Sequence, residues 1–215
     1  MIVEEIMQTN LKTLTENDSV SSALLLMRHE KIRHIPLINE QNTLIGLITE
    51  RDMKEVAPNS LFPEKNHEKL SLPLKKIMKT NVITAHPLDF IEDIAAVMYE
   101  KRIGCLPIIE QQKLVGLVTS TDILRTFVEI TGANQPSSQI EIKVKNSTDV
   151  LHHIIGILRQ HHIRIQSMFI YPDKTNAQNK IIVFRISTMN PVTIIAHLKK
   201  EGYDVLWPNM PRTLR

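Results

Sequence analysis

The chain has 215 residues, 42% of them hydrophobic and 23% charged, with a formal net charge of +3. It can form one large or two small globular domains, and its longest apolar runs fall far short of the roughly 18 to 20 residues that cross a bilayer. A single cysteine, Cys105, excludes an internal disulfide, and an N-terminus that opens MIVEEIM lacks a secretory signal, so we expect a cytoplasmic protein.

The charges are dispersed and predict neither a membrane partner nor direct binding of nucleic acid. Basic residues number 26 and acidic residues 23, and no stretch gathers five or six like charges into a nucleic-acid arm. Aromatic residues make up only 4% of the chain, too few for base-stacking platforms.

An internal repeat organises the first two thirds of the chain. Residues 6–10 (IMQTN) return as residues 77–81 (IMKTN), a shift of 71 that persists to Pro36 and Pro107. One residue is then lost, and residues 44–49 (LIGLIT) align with residues 114–119 (LVGLVT). Because matching residues recur in the same order in both segments, the sequence predicts a duplicated structural unit.

Each copy is predicted to contain a strand, a helix, two strands and a second helix. Asp18 and Ser19 precede the first helix of copy one, and Asp89 with Glu92 resembles a capping box opening a helix over 91–100 in copy two. The predicted strands of copy one are 34–38 and 44–49, and the closing helices are 50–56 and 120–130. Since one unit buries too little surface to be stable alone, the two should pack sheet to sheet about an approximate twofold axis.

The remainder of the chain reads as a separate domain of the order strand, helix, strand, strand, helix, strand, which predicts a ferredoxin-like sandwich. The fold class is therefore α/β (α+β). The predicted boundaries are 1–57 for the first copy, 58–72 for a linker with room for a short helix, 73–130 for the second copy, 131–138 for a linker and 139–215 for the final domain.

Two motifs give the repeat a specific resemblance. Gly46 to Asp52 (GLITERD) matches Gly116 to Asp122 (GLVTSTD), and each copy carries an apolar-Pro strand, Ile35-Pro36 or Leu106-Pro107. Residues 1–130 thus resemble a tandem CBS-domain pair, and the final domain resembles an ACT domain. This order of domains resembles the acetoin-utilisation family of the AcuB type, which implies a role in acetoin or butanediol catabolism.

The resemblance implies two quasi-equivalent sites for an adenine nucleotide, AMP, ATP or adenosine. Glycine lets a ligand approach the backbone, and a Thr and Asp three residues apart at a strand-to-helix junction can serve ribose and phosphate oxygens. Adenine would lie beside the apolar-Pro strand of a copy, with Thr13 or Thr84 on the first strand of that copy. The residues expected to bind are Thr13, Ile35, Pro36, Thr49 and Asp52 in copy one and Thr84, Leu106, Pro107, Thr119 and Asp122 in copy two.

The two sites are predicted to differ in charge. Copy one has Arg33 and Arg51 where copy two has Gly104 and Thr121, and arginine suits phosphate geometry. We therefore expect the first site to prefer a charged nucleotide.

An alternative needs no ligand, because Thr and Asp at this spacing also cap a helix. Occurrence in two copies, in register with the Pro strands, favours a nucleotide pocket in at least one.

The ACT resemblance is partial. Amino-acid-binding members usually present a glycine between the first strand and helix, where this chain has Asp149, whose carboxylate would oppose an amino-acid ligand. We expect this domain to serve dimerisation or partner docking, and residues 146–149 can also be simply a helix N-cap.

No catalytic constellation is evident, so the sequence predicts a non-catalytic regulatory protein with no metal and no catalytic cofactor. It would form a homodimer through the CBS helices and report nucleotide binding to a regulated enzyme or regulator not identified by the sequence. His34 and Cys105, at matched positions, are expected in the slot or core and not as a base and nucleophile. The alternatives are a transcriptional regulator and a small metal-dependent hydrolase that uses the pairs His152-His153 and His161-His162.

Overall fold

A computed structural model describes residues 1–56, 67–145 and 149–208. The chain forms two compact units, Met1–Leu124 and Arg125–Arg215. The first unit contains both predicted copies except for the C-terminal part of the last helix of copy two. The domain boundaries predicted from the sequence stay predictions. Within the described ranges, none of the helices combines the length and apolar character that crossing a bilayer requires.

The two copies have the same succession of elements. Copy one contains α1 (Val20–Glu30), β1 (His34–Ile38), β2 (Leu44–Thr49) and α2 (Glu50–Val56), and α3 (His67–Leu70) follows it. Copy two contains α4 (Ile91–Lys101), β3 (Cys105–Glu110), β4 (Lys113–Thr119) and α5 (Ser120–Thr131). The short helix allowed for in the predicted linker is α3, whereas residues 58–66 of that linker lie outside the described residues.

The first helices of the copies begin differently and end alike. Ser19 caps α1 by accepting a hydrogen bond from the Ser22 amide at 3.1 Å. The capping box predicted for α4 is wrong: Phe90 is its N-cap, and the Asp89 carboxylate instead accepts from the His86 amide at 2.7 Å. Both helices end on a left-handed residue, Lys31 or Arg102. The Asp89 side chain thus closes a local turn with His86 and does not cap α4.

Each copy has a two-stranded antiparallel hairpin, β1 with β2 and β3 with β4. The first strand predicted for each copy is only an isolated parallel bridge, Leu14 to Leu37 or Ala85 to Ile108. Thr13 and Thr84 therefore lie next to single bridges and not in extended strands.

The two copies exchange the segments that precede them. Gln8 pairs with Leu117 on β4, and Lys79 pairs with Leu47 on β2, each through two backbone hydrogen bonds of 2.9 and 3.0 Å. Leu47 and Leu117 also form one small core cluster with Cys105. The hairpins thus meet face to face, as the repeat predicted, and are tied together by crossed segments.

The second unit is a four-stranded antiparallel sheet with two helices. Its elements are β5 (Ser138–Lys145), α6 (Asp149–Gln160), β6 (Ile165–Pro172), β7 (Asn179–Ile186), α7 (Val192–Lys200) and β8 (Asp204–Trp207). The sheet order is β6-β7-β5-β8, and the predicted succession of strands and helices is the one observed. Ile140, Ile154, Phe184 and Leu198 belong to its apolar core. The cap proposed at residues 146–149 lies outside the described residues except for Asp149, which begins α6.

Candidate functional site

A cleft of about 620 Å³ lies between the two copies of the first unit. Matched positions of the repeat both line it: Arg33 and Gly104, and His34 and Cys105. A side chain at Gly104 would meet the His34 ring, because a Cβ built there lies 3.1 Å from Nε2. The cleft is thus formed by matched positions from both copies.

The cleft is strongly cationic. Among the described residues, one carboxylate, that of Glu50, and five basic side chains line it; the basic residues are Arg33, Arg51, Lys54, Lys79 and Arg102. Lys54 is paired with Glu50 at 2.7 Å, and Lys79 with Asp52 at 2.9 Å. The guanidinium groups of Arg51 and Arg102 have no ion-pair or hydrogen-bond partner in the described part of the chain. These groups are placed to bind an anion in the cleft.

The Thr and Asp of each repeated motif form a capping box. In copy one the Asp52 Oδ2 accepts from the Thr49 amide at 2.8 Å and from its hydroxyl at 2.7 Å. In copy two the matched distances from Thr119 to Asp122 are 2.9 and 2.6 Å. Both pairs start the helix that follows, α2 or α5, so the capping alternative describes the local geometry of both copies.

The crossed segments supply a further partner to each carboxylate. Lys79 Nζ lies 2.9 Å from Asp52 Oδ1, whereas Gln8, at the matched position, donates from Nε2 to both oxygens of Asp122 at 3.0 Å. Burial acts to raise the pKa of Asp52, but the hydrogen bonds from Thr49 and Lys79 outweigh it and lower that pKa. Asp52 is thus held as a carboxylate behind Lys79, and it does not line the cleft.

Three of the predicted binding residues, Arg33, Thr49 and Arg51, line the cleft together. Thr84 lines a second, smaller cleft of about 340 Å³, and Thr13 lines neither. The predicted residues whose side chains are buried and line neither cleft are Ile35, Pro36, Asp52, Leu106, Pro107 and Asp122. Thr119 is half-buried and lines neither cleft. Since Ile35 and Leu106 pack into the cores of the two copies, their role in a nucleotide slot remains a prediction.

The repeated glycines serve the crossed segments. A Cβ built on Gly46 lies 2.8 Å from Met78 Sδ, and one built on Gly116 lies 2.5 Å from Met7 Sδ. The expectation that these glycines leave room for a ligand is therefore wrong, because a methionine of the other copy occupies the space.

His34 and Cys105 are neutral at neutral pH. Burial, with the nearby positive charge of Arg33, lowers the pKa of His34 against the opposing effect of Asp52 and Glu50. Burial raises the pKa of the Cys105 thiol to about 12. A protonated thiol at 3% exposure is not an activated nucleophile, as the sequence led us to expect.

Sequence reasoning missed three cationic residues of the cleft, which are Lys54, Lys79 and Arg102. Lys79 was visible as the substitution of Lys for Gln8 in an otherwise repeated IMxTN segment, but its proximity to Asp52 depends on the crossing of the segments. Arg102 matches Lys31 in copy one, and no sequence pattern indicates that it faces the cleft.

The paired histidines of the second unit contact other elements. His153 Nδ1 lies 2.7 Å from the Tyr203 hydroxyl, and His161 Nε2 lies 3.0 Å from His197 Nδ1. Over residues 1–56, 67–145 and 149–208, no group of three or more His, Cys, Asp or Glu side chains is arranged to hold a metal ion.

Comparison with known proteins gives matches to the first unit's repeat. The CBS domain model matches residues 3–59 and 74–129. A homoserine O-acetyltransferase of Methanococcus vannielii is 38% identical over 127 residues, which are 59% of this chain and 25% of that relative. The chain thus spans about a quarter of the length of the curated relatives it matches first.

Solved structures with similar folds and more than 25% sequence identity include the following two. The CBS domain pair of protein MJ0100, in complex with 5'-methylthioadenosine and S-adenosyl-L-methionine, is 27% identical with a TM-score of 0.53, covering 63% of this chain and 98% of that one. A Vibrio cholerae chain assigned to acetoin utilization (AcuB) is 26% identical with a TM-score of 0.55, covering 64% and 98%.

Proposed function

Because the chain belongs to the CBS-domain family, we propose that its cleft binds an adenine nucleotide carrying phosphate, and that the protein is a non-catalytic regulatory sensor. CBS-pair proteins are generally regulatory and bind adenine nucleotides or S-adenosylmethionine. The observation that carries the proposal is a cleft of about 620 Å³ in which the guanidinium groups of Arg51 and Arg102 have no partner among the described residues.

The cleft has the composition that a nucleotide needs. Its volume lies within the range of small-molecule sites, roughly 300 to 1,000 Å³. Leu47, Val82 and Ile103 provide apolar surface for a base, and the arginines provide donors for phosphate oxygens. Both requirements are therefore met by residues of one cleft.

The charge of the cleft favours phosphate over a sulfonium ligand. The related CBS pair of MJ0100 was crystallised with methylthioadenosine and S-adenosylmethionine, the second of which carries a positive sulfur. Here Arg33, Arg51 and Arg102 would repel such a group and attract a phosphate. We therefore propose AMP or ATP as the ligand class of this chain.

The residues proposed as direct contacts are Arg33, Thr49 and Arg51, which the sequence also predicted. Thr13, Ile35, Pro36 and Asp52, with Thr84, Leu106, Pro107, Thr119 and Asp122 of copy two, stay proposals that would require rearrangement or backbone contacts. Asp52 in particular is covered by Lys79.

Titration calorimetry with ATP, AMP, adenosine and GTP tests this function on the wild type and on Arg51→Ala. Loss of a charge-assisted hydrogen bond of about 1.5 kcal/mol should weaken ATP and AMP binding about tenfold and leave adenosine unchanged. Arg159→Ala, at an exposed position on α6, is the matched control and should change nothing. Absence of heat with all four ligands would contradict the proposal.

We further propose that the protein is a cytoplasmic homodimer joined by CBS helices. Leu25 on α1 is 64% exposed and Tyr99 on α4 is 86% exposed, and both are apolar surfaces that a second copy would cover. A monomeric mass in sedimentation equilibrium at micromolar concentration would refute this. The ACT-like second unit would transmit ligand binding to the regulated partner.

Acetoin or butanediol catabolism is proposed as the regulated process. The support is the similarity to the Vibrio cholerae AcuB chain, almost all of which aligns to this one. Normal growth on acetoin of a strain lacking this protein would contradict the assignment.

A further inference from the structure

Lys79 is the position at which the repeated IMxTN segments of the two copies differ in charge. Its Nζ contacts Asp52 Oδ1 at 2.9 Å, while Asp52 Oδ2 is bound by Thr49. In copy two the matched Gln8 brings a neutral amide to Asp122. The same position of the repeat therefore makes an ion pair in one copy and a neutral hydrogen bond in the other.

The backbone of Lys79 is fixed, but its side chain can change partner. Two backbone hydrogen bonds to Leu47 hold the residue on β2. The Lys79 side chain is 57% exposed and lines the cleft, whereas the Asp52 side chain is 9% exposed and does not. Lys79 thus stands between the cleft and the carboxylate.

We propose that Lys79 leaves Asp52 for a ligand phosphate, and that this exchange frees Asp52 Oδ1 to accept a hydrogen bond from a ribose hydroxyl. The inference rests on the proposed function and specifies how that site selects phosphorylated ligands. Lys79 is then a specificity-determining residue, and phosphate and ribose are recognised together.

The energies permit such an exchange. The Lys79 ammonium is 57% exposed and keeps contact with water, so a phosphate with more than one negative charge can compete with Asp52 for it. A carboxylate left unpaired at 9% exposure would be unfavourable, and the ribose hydroxyls supply the replacement donors. An unphosphorylated nucleoside cannot attract Lys79, so Asp52 remains covered against it.

The substitution Lys79→Gln makes position 79 the same as position 8 and tests the exchange by titration with AMP and adenosine. It removes a cation that binds phosphate, so AMP should bind about tenfold more weakly. It also replaces the ion pair on Asp52 by a neutral amide hydrogen bond like the one Gln8 makes to Asp122, which a ribose hydroxyl displaces more easily, so adenosine should bind about threefold more tightly. Opposite changes for the two ligands are not expected of a residue with a merely structural role. Lys79→Met, which cannot donate a hydrogen bond, should have the same two effects as Lys79→Gln: weaker binding of AMP and tighter binding of adenosine.

Lys76→Gln is the matched control, because Lys76 is exposed, lies three residues away and does not line the cleft. It removes the same charge and should leave both affinities unchanged. Equal weakening of AMP and adenosine by Lys79→Gln, or no effect on either, would overturn the exchange while the nucleotide site stands. If the wild type binds neither ligand, the proposed function fails and this inference falls with it.

Discussion

The two CBS copies make the same contacts where a residue stabilises the shared fold, and they have different residues where the side chain lines the cleft. Both have a capping box with Thr hydroxyl to Asp distances of 2.7 and 2.6 Å, and both place a methionine of the other copy over a glycine. In contrast, Arg33 in copy one corresponds to Gly104 in copy two, and Lys79 corresponds to Gln8. The duplication therefore produces a symmetric scaffold around an asymmetric cleft, and the asymmetry is mainly one of charge.

The largest expected effect concerns the shared scaffold. Ile35 and Leu106 occupy matched strand positions at 0% and 1% exposure. Replacing either by Ala should lower the free energy of unfolding by about 2 to 5 kcal/mol, because each leaves a cavity in the core of its copy. Urea unfolding followed by circular dichroism measures this. If the free energy of unfolding fell by less than 1 kcal/mol while nucleotide binding was lost, these residues would instead be ligand contacts.

A smaller effect separates the two glycines. Gly116→Ala and Gly46→Ala should each cost about 1 to 3 kcal/mol of stability, because the new methyl group overlaps a methionine. The nearest atoms around Gly116 all belong to the Met7 side chain, whereas Gly46 also faces the Lys79 backbone oxygen at 3.2 Å. Met7→Ala should therefore rescue Gly116→Ala more fully than Met78→Ala rescues Gly46→Ala. Equal rescue in the two double-mutant cycles would refute this difference.

The smallest effect is the pH dependence of the copy-one carboxylate. The pKa of Asp52 lies below its ordinary value of 3.8 in the folded protein, so its contribution is complete above that pH and is lost as the pH falls through the lowered folded-state pKa. Asp52→Asn should cost about 1 kcal/mol at pH 7, through loss of a cap and an ion pair.

The difference in stability between wild type and Asp52→Asn should then shrink below about pH 4, as measured by urea midpoints from pH 7 to pH 2.5. Asp204→Asn, at an exposed position on β8, is the control and should show no such trend. A difference that persists at pH 2.5 would show that the ion pair and cap are not its origin.

Much of the fold followed from periodicity. The shift of 71 and then 70 residues predicted the paired copies, and the hairpins and closing helices begin and end within a residue or two of the predicted limits. The first strand of each copy and the capping box at Asp89 were wrong, because short local patterns such as these are decided by the contacts a segment finds in the folded chain.

The site was less predictable than the fold. Arg33, Thr49 and Arg51 were expected and do share the cleft, because residues adjacent to a strand end or a helix start have a fixed local direction. Lys79 and Arg102 were not expected, since their position depends on how one copy lies against the other.

The sequence by itself determined the duplication, the class of each unit and the Thr-Asp pairing three residues apart, since these depend on spacing within one segment. Only the tertiary structure decided that methionines occupy the space over Gly46 and Gly116, and that Lys79 covers Asp52. Crossing of the two segments brings residues more than 25 positions apart to within hydrogen-bond distance, and such contacts leave no periodic trace in the chain.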